Sequence, residues 1–310
     1  MASKIGIISG FLGAGKTTLI RKLLEESLSG EKVVLIENEF GEIGIDGTIL
    51  KQTGIQVREI NSGCICCTLA GDFSSSLKDV IRKYHPDRVL IEPSGVGRLS
   101  DILPVCRRTA LREQGQISLC ITVVDVQKYE VYRKNFAEFY LDQIEHAQTV
   151  LLSRTQKSAA DQLANVVRDI REHNPKASVI TTPWEQISGT EILSLAEKGR
   201  KPLINREEFE HSEEEHHHSH HADEIFEVWG KETPRIYSVE ELNECLRKLP
   251  ECGTVLRAKG ILPVQDGIWM QFDYVPEEVQ QVEIKPDFTG RLCVIGKGLN
   301  KAGLDKLFQV

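Results

Sequence analysis

The chain contains no apolar run approaching the roughly 18 residues that a helix needs to cross a bilayer, so no membrane-spanning helix is expected. Nor does it carry an excess of positive charge. Its 38 Lys and Arg stand against 46 Asp and Glu, a net charge of −8, so a sequence-independent hold on nucleic acid is not expected. Strand-like residues begin by Lys4, leaving no room for a cleavable leader, and a cytoplasmic location is the expectation. With no secretory signal, the eight cysteines read as thiols or metal ligands and not as a disulfide framework. No internal repeat is present. What the chain does have is length: 310 residues with 40% apolar composition allow a large core divided between two domains.

The most informative stretch is Gly10-Phe11-Leu12-Gly13-Ala14-Gly15-Lys16-Thr17-Thr18, directly behind the apolar run Ile5-Gly6-Ile7-Ile8. Its spacing is G-x-x-x-x-G-K-[ST], a phosphate cradle. Glycines let backbone N–H groups approach phosphate oxygens, Lys16 reaches the outer phosphates, and the Thr17 hydroxyl coordinates Mg²⁺. A strand before it and a helical stretch after it (Thr17 to Leu28) supply the required context.

Strand and helix patterns then alternate. The strands are read at Lys32 to Glu37, Asp87 to Glu92, Ile117 to Val126, Thr149 to Ser153 and Ala177 to Thr182, with amphipathic helical stretches between. This order predicts an α/β fold with a doubly wound, mostly parallel P-loop sheet over residues 1–199. Residues 200–222 are charged and histidine-rich and read as a linker. Residues 223–310 read as a small α+β domain, a sheet with helices on one face.

Three further motifs carry chemistry. Glu37 ends the second strand and opens a carboxylate-dense segment that includes Glu42; acids there fall near the ligand edge of a parallel sheet. Gly63-Cys64-Ile65-Cys66-Cys67 gathers three thiolates, soft ligands for Zn²⁺, Co²⁺, Ni²⁺ or Cu(I). A tetrahedral site would lack one ligand, which water, Glu37, Glu42 or a client's side chain could provide. Glu92-Pro93-Ser94-Gly95 ends the third strand: Glu92 can orient water or hold Mg²⁺ through water, and Ser94 and Gly95 can offer N–H groups to a γ-phosphate. Asp125 is a second acid of this kind, and either acid could instead form a turn or cap.

On Gly10 to Thr18, Glu37 to Gly41, the C-x-C-C of Gly63 to Leu69, Glu92 to Gly95 and Arg257 to Gly260, the chain resembles the CobW-type family of metallochaperone GTPases over nearly its whole length. The resemblance implies a SIMIBI-class GTPase domain followed by a CobW-type domain. It implies GTP/GDP and Mg²⁺ as ligands, met by Lys16 and Thr17; Lys16 and the strand-end acids Glu37 and Glu92 are the candidate catalytic groups. Gly10, Gly13, Ala14, Gly15, Thr17, Thr18, Ser94 and Gly95 complete the phosphate side. Zn²⁺, Co²⁺ or Ni²⁺ would bind at Cys64, Cys66 and Cys67, for delivery to a client metalloprotein or cofactor-synthesis enzyme. A nucleotide-dependent dimer is compatible with it.

One departure stands out. The family's usual Asn-Lys-x-Asp is here Ser153-Arg154-Thr155-Gln156. Arg154 can lie along a base, but Gln156 offers one acceptor and one donor where a carboxylate would read guanine, and so fits guanine or adenine. A relaxed base preference is expected. Six of the nine histidines, His211 with His216, His217, His218, His220 and His221, form a second metal-attracting run, read as a loading site or as a solvated spacer. Two alternatives remain open at this level: a metal-storage or sensing protein with a degenerate nucleotide site, and a P-loop phosphotransferase.

Overall fold

A computed structural model describes residues 2–37, 56–59, 70–113, 115–198, 226–284 and 289–310. Seven strands, β1 (Lys4–Gly10), β2 (Val33–Glu37), β3 (Gln56–Glu59), β4 (Arg88–Glu92), β5 (Gln116–Asp125), β6 (Thr149–Ser153) and β7 (Ser178–Ile180), form one sheet in the order β3-β2-β4-β1-β5-β6-β7. Every pairing in it is parallel. The connecting helices are α1 (Lys16–Glu26), α2 (Ala70–Tyr84), α3 (Leu99–Arg112), α4 (Tyr129–Glu145), α5 (Ala160–His173) and α6 (Gly189–Lys198).

Strands covered on both faces must be apolar throughout, which is why β2 reads Val-Val-Leu-Ile before its terminal acid. Its alternation assigns the layers: Val33 and Leu35 pack with α1 and α6, whereas Val34 and Ile36 pack with α2 and α3. Helices α4 and α5 cover the β5–β6 half. Central β1, with Ile5, Ile7 and Ile8 fully buried, delivers the phosphate loop to the middle of the sheet's carboxyl edge.

The second sheet contains β8 (Glu227–Thr233), β9 (Thr254–Pro263), β10 (Trp269–Val275), β11 (Glu278–Ile284) and β12 (Gly290–Lys297) in the order β11-β10-β9-β12-β8, all antiparallel. Helices α7 (Val239–Lys248) and α8 (Lys301–Phe308) share one face of it: Leu242, Leu246, Leu304 and Phe308 pack on Ala258, Leu262, Phe272 and Val294. The opposite face, through Leu256, Ile261, Cys293 and Ile295, joins the core around α4.

A bulge in β9 makes this double duty work. Arg257 pairs with Ile295 and Val255 with Gly296, leaving Leu256 as the extra residue. Leu256 and Arg257 therefore lie on the same side, and the inward set shifts from Val255 to Ala258 and Leu262.

Three elements depart from the sequence reading. Strand β3 is four residues with two charges, β11 is a mostly polar edge strand, and α3 was obscured by Pro104, whose ring forgoes a helical hydrogen bond to Ser100. Strands β3 and β11 are stabilised by their neighbours, whereas α3 has an apolar face of its own in Leu99, Ile102, Leu103, Cys106 and Ala110. The linker predicted at 200–222 lies outside the described residues.

Candidate functional site

The loop after β1 is shaped by backbone chemistry. Gly10 ends the strand, and Ala14 N–H donates to the Phe11 carbonyl at 3.2 Å. Gly13 (φ 69°) and Gly15 (φ 108°) hold left-handed conformations that a side chain would strain. Gly15 hands the chain to α1, whose first turn presents its N–H groups with Lys16, Thr17 and Thr18. Lys16 is 5% exposed; its Nζ donates to the Phe11 carbonyl at 3.4 Å and stands 3.9 Å from Glu92 Oε1. The Thr17 hydroxyl donates to the Glu92 carboxylate, 3.2 and 3.3 Å from its two oxygens.

Parallel pairing sets the acids in a row. Glu92, at the end of β4, is the register partner of Glu37 at the end of β2, and Glu37 is in turn the partner of Glu59 in β3. Glu37 and Glu92 are both buried. Directly after Glu92, Ser94 makes a tight turn in which its hydroxyl accepts from Val96 N–H at 3.4 Å and its carbonyl from Gly97 N–H at 2.9 Å. The Gly95 carbonyl accepts from Gln143 Nε2 at 3.1 Å, fixing this turn beside the phosphate loop.

The far side is organised by Arg154, itself left-handed at φ 57°. Its Nη1 donates to the Gly13 carbonyl at 3.1 Å and to Asp125 at 2.8 Å, while Nε and Nη2 meet Glu278 of β11 at 3.0 and 2.8 Å. Asp125 also accepts from Gln127 N–H at 2.8 Å, a turn-forming contact. Burial pushes its carboxyl up, and the Arg154 charge partly opposes this. Gln156 Nε2 donates to Glu185 at 3.2 Å.

Above the loop lies the second sheet. A cavity of about 190 Å³ is floored by Gly13, Gly15 to Thr18 and Arg21 and roofed by β9, β10 and β11. Its roof includes Arg257, paired with Asp273 at 2.8 Å, together with Gln271 and Gln280. Sequence reasoning marked Arg257 only through the family resemblance and missed the rest of this roof, and also Trp184. The Trp184 indole donates to the Leu152 carbonyl at 2.8 Å, and its ring lies against Gly15. The alternation of Gln271, Asp273 and Val275 along β10 was the one available signal.

Thr17 and Glu92 are hard oxygen donors side by side, a set that suits Mg²⁺ held directly or through water. Glu42, Cys64, Cys66, Cys67 and the histidine run from His211 to His221 lie outside the described residues. Among the described residues no group of three His, Cys, Asp or Glu could hold a metal. Cys106, Cys120, Cys245, Cys252 and Cys293 are buried free thiols, as their scattered spacing suggests; burial pushes Cys120 up to about 12.

A glycine-shaped loop, a buried lysine at the head of a helix, and a threonine facing a strand-end carboxylate define a P-loop nucleotide-binding protein. The chain belongs to the CobW/HypB/UreG family: the model of its nucleotide-binding domain matches residues 4–181, and that of the cobalamin synthesis protein cobW C-terminal domain matches residues 226–310. Relatives include the zinc chaperone CobW of a Sinorhizobium species, 29% identical, covering 83% of this chain and 80% of its own. The zinc chaperone CobW of Pseudomonas aeruginosa is 28% identical, covering 97% and 89%. The solved Zn(II)-bound YjiA GTPase from E. coli covers 100% of this chain and 98% of its own at 19% identity, with a TM-score of 0.45. No helix among the described residues is long and apolar enough to cross a membrane.

Proposed function

We propose that this protein is a metallochaperone GTPase that uses GTP binding and hydrolysis to control its hold on a transition metal, zinc in the first instance, destined for a client protein. The observation that carries this reading is the register pairing of Glu37 with Glu92. One acid faces the Mg²⁺-binding threonine, and the other opens the segment leading toward Glu42. Cys64 follows Glu59, the next acid in the row, by five residues. The last described strand before the thiolate motif in the chain therefore ends on the same sheet edge as Glu92.

Lys16 would meet the β- and γ-phosphates, and the N–H groups of Gly13 to Thr18 the remaining oxygens. Mg²⁺, held by Thr17 and Glu92, would neutralise charge on the transferring phosphate. Cys64, Cys66 and Cys67, completed by Glu37 or Glu42, would hold the cargo ion. The His216 to His221 run would act as a loading site. Zinc is favoured over cobalt and nickel by the names of the relatives.

For such a device, metal affinity must differ between the two nucleotide states. Metal analysis and competitive zinc titration of the full chain, bound to a non-hydrolysable GTP analogue and then to GDP, test this. A difference of about tenfold or more is expected, abolished by the Cys64→Ser, Cys66→Ser, Cys67→Ser triple variant. Equal affinity in both states would overturn the coupling.

A further inference from the structure

Gln156 taken alone is ambiguous between guanine and adenine, since its amide offers one donor and one acceptor. The structure removes the ambiguity by giving the donor a partner. Gln156 Nε2 points at Glu185 Oε1, 3.2 Å away. The reverse orientation of the amide would set its oxygen against a carboxylate, two acceptors in repulsion, so chemistry fixes the assignment.

What the Gln156–Glu185 pair still offers at this edge are the Gln156 carbonyl oxygen and the remaining lone pairs of the Glu185 carboxylate, all acceptors. Guanine presents two adjacent donors, N1–H and the 2-amino group. Adenine presents its amino group beside N1, an acceptor. An acceptor-only edge satisfies both guanine donors and sets a lone pair against adenine N1.

The placement suits a base. Glu185 lies on the loop between β7 and α6, which its neighbour Trp184 docks onto the end of β6 and against the phosphate loop. The Trp184 indole N–H donates to the Leu152 carbonyl at the end of β6, and the ring lies against Gly15 of the phosphate loop. Glu185 itself is exposed and reachable.

We infer that Glu185 is the specificity-determining residue for the base. It supplies, from a different loop, the carboxylate that position 156 lacks, and Gln156 acts as the positioning residue that holds it. This rests on the nucleotide reading above and reverses the relaxed preference expected from Gln156 alone.

The test is competition of GTP, ITP and ATP against a fluorescent GTP analogue on the full chain with Mg²⁺. ITP lacks only the 2-amino group, so the ratio of its dissociation constant to that of GTP reads one hydrogen bond to a charged acceptor. The wild-type ratio is expected at about tenfold, with ATP weaker still. Glu185→Ala and the isosteric Glu185→Gln should bring the ITP-to-GTP ratio close to one, which a merely structural role would not do. Gln156→Ala should lower it partially.

Wild-type protein that binds GTP and ATP alike overturns the inference, as does a GTP-to-ITP ratio unmoved in both Glu185 variants. Failure of every triphosphate to bind would overturn the nucleotide reading itself, and this inference with it.

Discussion

Strand β4 carries a buried charge at each end, and the two are treated in opposite ways. At the amino end Arg88, fully buried, is closed in by short contacts: Nε to Glu31 at 2.7 Å, and Nη1 to Glu197 and to Ser118 at 3.1 Å each. At the carboxyl end Glu92 meets the Thr17 hydroxyl at 3.2 and 3.3 Å and Lys16 at 3.9 Å, with the acid Glu37 as its register partner. The first arrangement is an electrostatically finished structural clamp. The second holds a cation, a hydroxyl and two acids at distances that leave room for a polyanion and its metal. Three residues of one strand thus separate a charge serving stability from one placed for chemistry.

The sharpest way to break this contrast is Glu92→Gln, which keeps shape and removes charge. GTP hydrolysis, followed as phosphate release with Mg²⁺, should fall by about 10²-fold or more. Stability in urea should stay within about 1 kcal/mol, because one of two neighbouring acids is being neutralised. Arg88→Ala should do the reverse. It strands two carboxylates and empties a buried position, at a cost of about 3 kcal/mol by urea denaturation, with GTP affinity within a factor of three of wild type. A variant that swapped these signatures would erase the distinction between the two ends.

A smaller effect is expected where the second sheet is latched over the loop. Burial raises the Glu278 carboxyl, but the Arg154 charge, hydrogen bonds from Gln280 and Arg154 and the Lys157 charge together outweigh it, and the net position is below the ordinary 4.5. A lowered folded-state value means that the latch contributes fully above the unfolded value and is lost as pH falls through the folded one. Limited proteolysis should therefore show the second sheet loosening from the first below about pH 4.5. Glu278→Gln should already be looser at pH 7 and lose that pH dependence.

The amino-acid pattern pointed to the phosphate side and, at the base edge, to Arg154 and Gln156, but not to Glu185 or to most of the roof. Gly10 to Thr18 is legible because everything it needs is local: glycines for left-handed turns, a lysine, and a helix start within nine residues. Glu92 is legible because parallel strands present their last residue to the ligand edge. Glu185 carries no such mark. Its meaning comes from Gln156, 29 positions away, through one hydrogen bond. Likewise β11 reads as a polar loop until β10 pairs with it, at which point Glu278 comes into reach of Arg154. Asp125, an acid at a strand end like Glu92, is in sequence a second candidate of the same kind, behind Glu92. The structure distinguishes them by partner, an arginine and a turn N–H against a hydroxyl.

Phe11, the second residue of the phosphate loop, is a large side chain where the motif demands none. It is wholly buried, 4.7 Å from Tyr132, 5.4 Å from Phe136 and 6.2 Å from Phe226 by ring centroids. Phe226 is the first described residue of the second unit, and α4 departs from helical geometry at Phe136, between those two rings. The loop is consequently geared to the rest of the molecule. A displacement of its backbone would press first on a cluster of aromatic rings whose far member, Phe226, begins the C-terminal unit.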